Sequence, residues 1–469
     1  MEGYIDFADK AAFVRTLKNL GGKHMKGSVL KKFLCTCLVT AAAFAATTIS
    51  ASACTTIYVG GDLVEEGTPF VARTEDYGSD YNKLWFISES GKWKQGDHYV
   101  GCPEYGPFEW DFTHDSYRFT YFTNDIYYDG TCPECGQKAD HYSYTEFGTN
   151  EKGVSVSATE TLYGNEKVAE VDPYRDAEWA AANGNARIGI EETDIPTIIL
   201  AEASSAREGV KLLLDIYENY GCVYASGVFI CDKDEVWYIE NCSGTQYVAI
   251  KLNDNMIFLE PNMAVIGRVD LDDENVIASK DLIAVAKKAG TFVGDEAKNI
   301  IDFRASYARI SEKMDQRMID GLNYLNAAYQ YDSDVLVADN TKFTISNLDA
   351  SDKLVALYTN IKADRKLDKD DIFGYYKLSS IGKASNQEIE IFQLFKDRPV
   401  ETATVGWVGV GNMSYNVFVP YYPMLLDSMY SGYQVSTASA KFTTEKPDTF
   451  CTYGTSWAQD AEGNWQRVS

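Results

Sequence analysis

Residues 54–76 constrain the fold of this chain more than any other stretch. Thr55 to Val59 is β-prone, with Ile57 and Val59 on one face. Gly60-Gly61-Asp62 opens a connection, Glu66-Gly67 closes it, and residues 68–73 form a returning strand. Two such runs pair as an antiparallel hairpin. Centred near residue 64, the hairpin sets Cys54 opposite position 74 and brings Arg73 and Asp76 beside it. Directly before Cys54 stands Ala51-Ser52-Ala53.

That tripeptide ends a secretory signal. Residues 25–32 are basic, residues 33–49 are apolar and alanine-rich, and Ala51-Ser52-Ala53 is a small-residue cleavage site. Residues 1–24 read as an upstream extension from an early start, with Met25 as the initiator. No later run is apolar for long enough to span a bilayer. The expectation is an exported protein whose residues 54–469 form a single catalytic domain, with Cys54 as its first residue. A cysteine at this position also suits a lipoprotein signal, although Ala51 stands where such signals usually carry leucine. Lipidation would block both sulfur and amine, so the two readings exclude each other. Only a lipidated Cys54 would place the chain on a membrane.

Without residues 1–53 the chain holds 36 basic and 66 acidic side chains. So acidic a chain is a poor partner for nucleic acid or anionic lipid. Cys132-Pro133-Glu134-Cys135, with Cys102 and His141, offers either a zinc knuckle or a disulfide. One knuckle without a second is a weak zinc signal. The stretch reads as a surface insertion near residues 122–141, and neither a metal nor a cofactor is expected.

Histidine is scarce: His98, His114 and His141 follow Cys54, all in the region 85–148, which reads as irregular strands and loops. A Ser-His-Asp triad or a Cys-His pair therefore has little to draw on. An N-terminal cysteine needs no histidine. Its α-amine, with an ordinary pKa of about 7.7–8.0, can take the thiol proton and return it to the leaving amine. Asp76 would orient that amine. Arg73 would favour the thiolate or hold an anionic substrate end. The tetrahedral oxyanion needs amide donors.

Further along, residues 154–159 suit a central strand. Residues 195–203 look helical, and Ser205-Ala206-Arg207-Glu208 caps a helix that Gly221 stops. Strands follow at 227–232, 235–241, 246–252 and 256–259. Helices are expected at 276–289, 306–328 and 351–362, then strands at 388–394, 404–410 and 415–419. Strands and helices in blocks predict an α+β fold of antiparallel sheets.

The run ACTTIYVGGDLVEEGTPFVARTEDYG (53–78) resembles the start of the dipeptidase A cysteine peptidases, which are N-terminal-nucleophile hydrolases related to penicillin V acylase and bile salt hydrolase. The likeness continues at residues 150–161, 235–264 and 404–422. The resemblance implies a four-layer αββα sandwich and hydrolysis of small peptides, with Cys54 as nucleophile and Arg73 and Asp76 as its supports. It also implies that Asn262 serves the oxyanion and Arg317, in DQRMIDGLNYLN, the active site. Thr159 and Glu160 fall where relatives place pocket residues. Homo-oligomers are compatible with it. The related alternative is an amidase of the same clan acting on a non-peptide amide. A lipoprotein that binds peptides without catalysis is the alternative of a different class. The chain departs from the family pattern in its Cys132–Cys135 insertion and in lacking a closing aromatic helix before Ser469.

Overall fold

The hairpin at residues 54–76 lies inside a six-stranded antiparallel sheet in a computed structural model of the chain. The structure describes residues 54–76, 83–101, 108–124, 145–159, 162–184, 186–310, 315–328, 361–430, 442–443, 456–459 and 465–468. The six strands run in the order β12 (Ile257–Glu260), β1 (Thr55–Val59), β2 (Phe70–Asp76), β17 (Asn386–Leu394), β18 (Thr404–Val410) and β19 (Val419–Tyr421). A second antiparallel sheet of eight strands runs β14 (Val276–Ala278), β11 (Tyr247–Leu252), β10 (Val236–Asn241), β9 (Ser226–Cys231), β8 (Ser155–Thr159), β7 (Phe147–Asn150), β6 (Phe119–Asn124) and β3 (Lys83–Ser88). Smaller sheets pair β4 (His98–Val100) with β5 (Glu109–Asp111), and β16 (Ile300–Asp302) with β13 (Arg268–Asp270) and β15 (Gly294–Asp295). Another joins Phe442–Thr443, Ser456–Gln459 and Trp465–Val468.

Strand alternation sorts the side chains into layers. From the eight-stranded sheet, Val156, Ala158, Val228, Ile230, Trp237 and Ile239 pack on the helices Ile195–Glu202 and Ala206–Asn219. Their neighbours Phe229, Tyr238, Val248 and Ile250 point the other way, into a core shared with Tyr58 and Phe258 of the six-stranded sheet. The Tyr238 and Phe258 rings lie 4.5 Å apart. Against the six-stranded sheet the helices Gln316–Leu325 and Lys369–Tyr376 bury Met318, Leu322, Ile372 and Tyr375. Each such side chain taken fully from water stabilises the fold by about 1.5–3 kcal/mol. The order is the four-layer αββα sandwich of an α+β protein.

Several elements differ from expectation. The region read as irregular supplies β3 to β7, three of which, β7, β6 and β3, form the far end of the eight-stranded sheet. Aromatics on both faces of Phe119-Thr120-Tyr121-Phe122 mask the polar alternation that marks a half-buried strand. The helix expected at 276–289 begins only at Leu282, because Val276-Ile277 pairs with β11 first. The helix expected at 306–328 is two, Phe303–Tyr307 and Gln316–Leu325. Asp315 restarts it, its carboxylate accepting from the Arg317 backbone N–H. The strand expected at 415–419 starts at Val419, after a single-turn helix at Met413–Tyr415. The signal segment, Cys102, Cys132, Cys135, His141, Glu160, most of the insertion and most of the helix expected at 351–362 lie outside the described residues.

Candidate active site

The site grows from the register of the hairpin. Thr55 pairs with Thr74 and Thr56 with Arg73, so the next position along β1, Cys54, meets Glu75. This corrects the expected partner by one residue. A single-turn helix at Gly61–Leu63 and a second turn at Gly67, whose φ is 70°, lengthen the connection. In a strand a one-residue shift exchanges the two faces. Cys54, Arg73 and Glu75 therefore share the face toward the eight-stranded sheet, and Asp76 lies on the reverse face.

Cys54 is buried, and its Sγ donates to Glu75 Oε2 at 3.2 Å. Arg73 Nη2 donates to that same oxygen at 2.5 Å and lies 3.6 Å from Sγ. Its Nη1 donates to Ser157 Oγ at 2.6 Å and to the Ala158 carbonyl. Ser157 is on the β8 face opposite Val156 and Ala158, so the guanidinium spans the space between the sheets. Glu192 Oε1 lies 3.6 Å from Arg73 Nη2. Burial, then the Glu75 carboxylate, pushes the Cys54 thiol well up from its ordinary value, and Arg73 opposes them only in part. Alone, this environment holds the sulfur as a thiol.

On the other face, Asp76 Oδ1 accepts from Asn386 Nδ2 at 2.5 Å, and Oδ2 lies 3.3 Å from Lys383 Nζ. Burial raises the Asp76 carboxyl to about 6 against the pull of Lys383 and Asn386. Arg317 joins several pieces of backbone. Its Nη1 donates to the Cys54 carbonyl at 2.7 Å, to Thr55 Oγ1 at 3.2 Å and to Asn262 Oδ1 at 2.9 Å. Its Nη2 donates to the Pro261 carbonyl at 2.9 Å and to Asp315 at 2.8 Å. Asn262 follows β12 at φ 57°, a left-handed conformation that Asn tolerates better than most residues. With Oδ1 bound to Arg317, the Asn262 amide N–H groups face away from that guanidinium. Thr159 is buried at the end of β8, on the Ser157 side of the strand.

The structure thus gathers Cys54, Arg73, Asn262 and Arg317 around the start of β1 and places Asp76 behind it. Glu75, Ser157 and Glu192 escaped the sequence reading. Glu75 had a signal, since it stands between Arg73 and Asp76 and needed only the right register. Glu192, in the loop before the helix Ile195–Glu202, had none.

Glu75 also borders a buried charge cluster. Carboxylate oxygens of Glu75, Glu146 and Glu388 lie within 4.8 Å of one another. Lys83 Nζ pairs with Glu146 and lies 3.5 Å from Glu388. An ammonium already among these acids makes the group a poor cage for a metal. Burial raises both Glu146 and Glu388, which relieves their mutual repulsion. His98, exposed and bound to Asp111 at 2.7 Å, and His114, bound to the carbonyls of Asp115 and Glu202, have other partners.

The model of peptidase family C69 matches residues 53–455. A probable dipeptidase B from Streptococcus pyogenes serotype M1 is 30% identical over 390 residues, covering 79% of this chain and 72% of the relative. A probable dipeptidase from Salmonella dublin is 28% identical over 380 residues, covering 79% and 81%. The solved penicillin V acylase from Agrobacterium tumefaciens aligns with a TM-score of 0.33 at 12% identity, covering 76% of this chain and 82% of its own.

Proposed function

Because the chain belongs to peptidase family C69 and is a cysteine-type peptidase, we propose that it is an exported dipeptidase in which Cys54, freed as the N-terminal residue, is the nucleophile. The observation that carries this is the sulfur itself. It is buried, lies 3.6 Å from Arg73, and has no described histidine to take its proton. The α-amine released when the Ala53–Cys54 bond is cut stands on the same residue, and an amine near its ordinary pKa suits a base at neutral pH.

In this reading the amine accepts the thiol proton as Sγ bonds to the peptide carbonyl carbon. The carbonyl π pair moves to oxygen, and Asn262 Nδ2 with backbone N–H groups receives that oxyanion. Collapse breaks the C–N bond, and the amine's extra proton leaves on the departing amino group. Water, deprotonated by the same amine, then releases the acyl group as a carboxylic acid and restores the thiol. Asp76 orients the amine from behind the strand, and Arg73 steadies the thiolate. Arg317 is a positioning residue that fixes the Cys54 carbonyl and the Asn262 side chain together. Incubating the mature protein with unblocked dipeptides should release both amino acids. Failure on a broad dipeptide panel, with turnover of penicillin V or a bile-salt conjugate, would favour the amidase instead.

A pH profile tests Asp76. With Ala53 still attached, burial holds the Asp76 carboxyl near 6. A freed ammonium beside it favours the carboxylate, and the carboxylate in turn favours the ammonium. Asp76→Asn should therefore move the acid limb of kcat/KM to lower pH. In the uncleaved chain, a buried acid with a raised pKa favours the fold below its unfolded value. That contribution is lost as pH rises through about 6. An unchanged acid limb in Asp76→Asn would remove Asp76 from the mechanism.

A further inference from the structure

Glu260 stands where two parts of the site meet. It ends β12 and pairs across the sheet with Thr56 of β1, two residues from Cys54. Thr56 pairs in turn with Arg73 of β2, so Glu260, Thr56 and Arg73 form one row on the face that holds Cys54. Glu260 is fully buried, and a buried carboxyl is costly unless its oxygens find donors. Each oxygen has one. Oε2 accepts from Thr56 Oγ1 at 3.1 Å, and Oε1 accepts from the Met263 backbone N–H at 3.1 Å. One side chain therefore ties the strand that carries the nucleophile to the turn that carries Asn262.

The turn depends on such ties. Asn262 sits at φ 57°, a region that side chains rarely adopt without support. Its amide aims at one place only while the peptide units on both sides of it are fixed. Arg317 holds the unit before it, through the Pro261 carbonyl. Glu260 holds the unit after it, through the Met263 N–H. Further on, Glu240 of β10 accepts from the Val265 and Ile266 N–H groups at 2.7 and 3.2 Å, which binds the segment leaving the turn to the other sheet. We propose that Glu260 is a positioning residue that sets the distance between the Cys54 sulfur and the oxyanion donor on Asn262. The role rests on acyl transfer at Cys54. Oxyanion donors work only when they meet the oxygen of the transition state at hydrogen-bond distance. A misplacement of about 1 Å can cost about 10²-fold in rate. Arg317 and Glu260 thus clamp the turn to β1 with opposite charges, one through the Cys54 carbonyl and the other through the Thr56 hydroxyl.

The test sets dipeptide turnover beside alkylation of Cys54 by iodoacetamide, both in the mature protein. Alkylation forms the S–C bond as the C–I bond breaks, and the electron pair leaves on iodide, so no oxyanion develops. Hydrolysis passes through one. Glu260→Ala should lower kcat by about 10²–10³-fold with KM little changed. Its alkylation rate, read from the mass of the N-terminal peptide, should stay near that of the unaltered protein. Glu260→Gln keeps an acceptor for the Met263 N–H and can donate to Thr56 Oγ1, so turnover should return to within about tenfold of the unaltered protein. Thr56→Val keeps the β-branched shape and cuts only the tie to β1. It should lower kcat by about tenfold, and it decides the matter if Glu260→Ala does not fold. Unchanged turnover in either truncation, or a loss of turnover matched by an equal loss of alkylation, would overturn the role. A Gln variant no better than Ala would also overturn it, by making Glu260 a source of charge. Hydrolysis of N-acylated amino acids but of no dipeptide by the unaltered protein would overturn the dipeptidase reading alone, and the same variants on that substrate would then judge Glu260. Full activity of Cys54→Ala would overturn both.

Discussion

Cys54→Ala is expected to lower dipeptide hydrolysis by about 10⁴-fold or more, the scale on which removal of a covalent nucleophile acts. Thermal unfolding should stay close to the parent. The substitution removes one sulfur and its hydrogen bonds with Glu75 and Arg73, which keep their contact with each other. Hydrogen bonds to charged groups are worth about 1.5–3 kcal/mol, and a thiol, a weak donor and acceptor, falls at or below the low end. Cys54→Ser separates reactivity from packing, because a hydroxyl can still donate to Glu75 but is the weaker nucleophile at neutral pH. It should fold as well as the parent and turn over far more slowly. Both variants are checked by substrate turnover and by circular dichroism on heating. Parent-like turnover in Cys54→Ala would move the chemistry away from this residue.

Arg317→Ala should affect both stability and rate. The guanidinium is buried and satisfies the carbonyls of Cys54 and Pro261, the side chains of Thr55 and Asn262, and the Asp315 carboxylate. Truncation leaves these acceptors without their donor and strips Asp315 of its ion pair. The Asp315 side chain is 32% exposed and can be rehydrated, whereas each buried acceptor left unsatisfied costs about 1–3 kcal/mol, which a urea unfolding curve would read as a lower midpoint. Turnover should also fall by about 10²–10³-fold, the usual cost of misplacing an oxyanion donor, because Asn262 and the Cys54 backbone lose their common anchor. Arg317→Lys keeps the charge but cannot span these acceptors with a planar fork. It should recover stability better than turnover. A fully active Arg317→Lys variant would reduce Arg317 to a source of charge.

The hairpin, the meander β9 to β12 and the helix Ala206–Asn219 were legible because each follows a local rule. Alternation marks the strands, glycine-rich turns part them, and Ser205 caps the helix, its side chain accepting from the Glu208 N–H. The histidine shortage and the cysteine after Ala51-Ser52-Ala53 pointed to the chemistry before any contact was known. Register was harder. Whether Cys54 faces position 74 or 75 depends on two turns inside the connection, and the sequence shows their glycines without showing how they stack. The face that Asp76 occupies follows from that one residue. Contacts between sheets were out of reach, since Arg73 with Ser157 joins positions 84 residues apart and Glu192 arrives from a loop with no periodicity. Among residues 83–150, β3 and β6 were hidden by aromatics on both faces. Lys83 at the start of β3 gave no sign that it would be buried among acids.

One residue, Cys54, is proposed to supply both nucleophile and base. That dual role is tested most directly by comparing two forms of the protein that differ only at the Cys54 nitrogen. One begins at Cys54 with a free amine, and the other retains Ala53 through an uncleaved peptide bond, with intact mass verifying each. An amide nitrogen cannot accept the thiol proton, so the account predicts that the free form hydrolyses dipeptides and the Ala53-bearing form is slower by about 10²–10⁴-fold, the range of general base catalysis. Equal turnover by the two forms would contradict it.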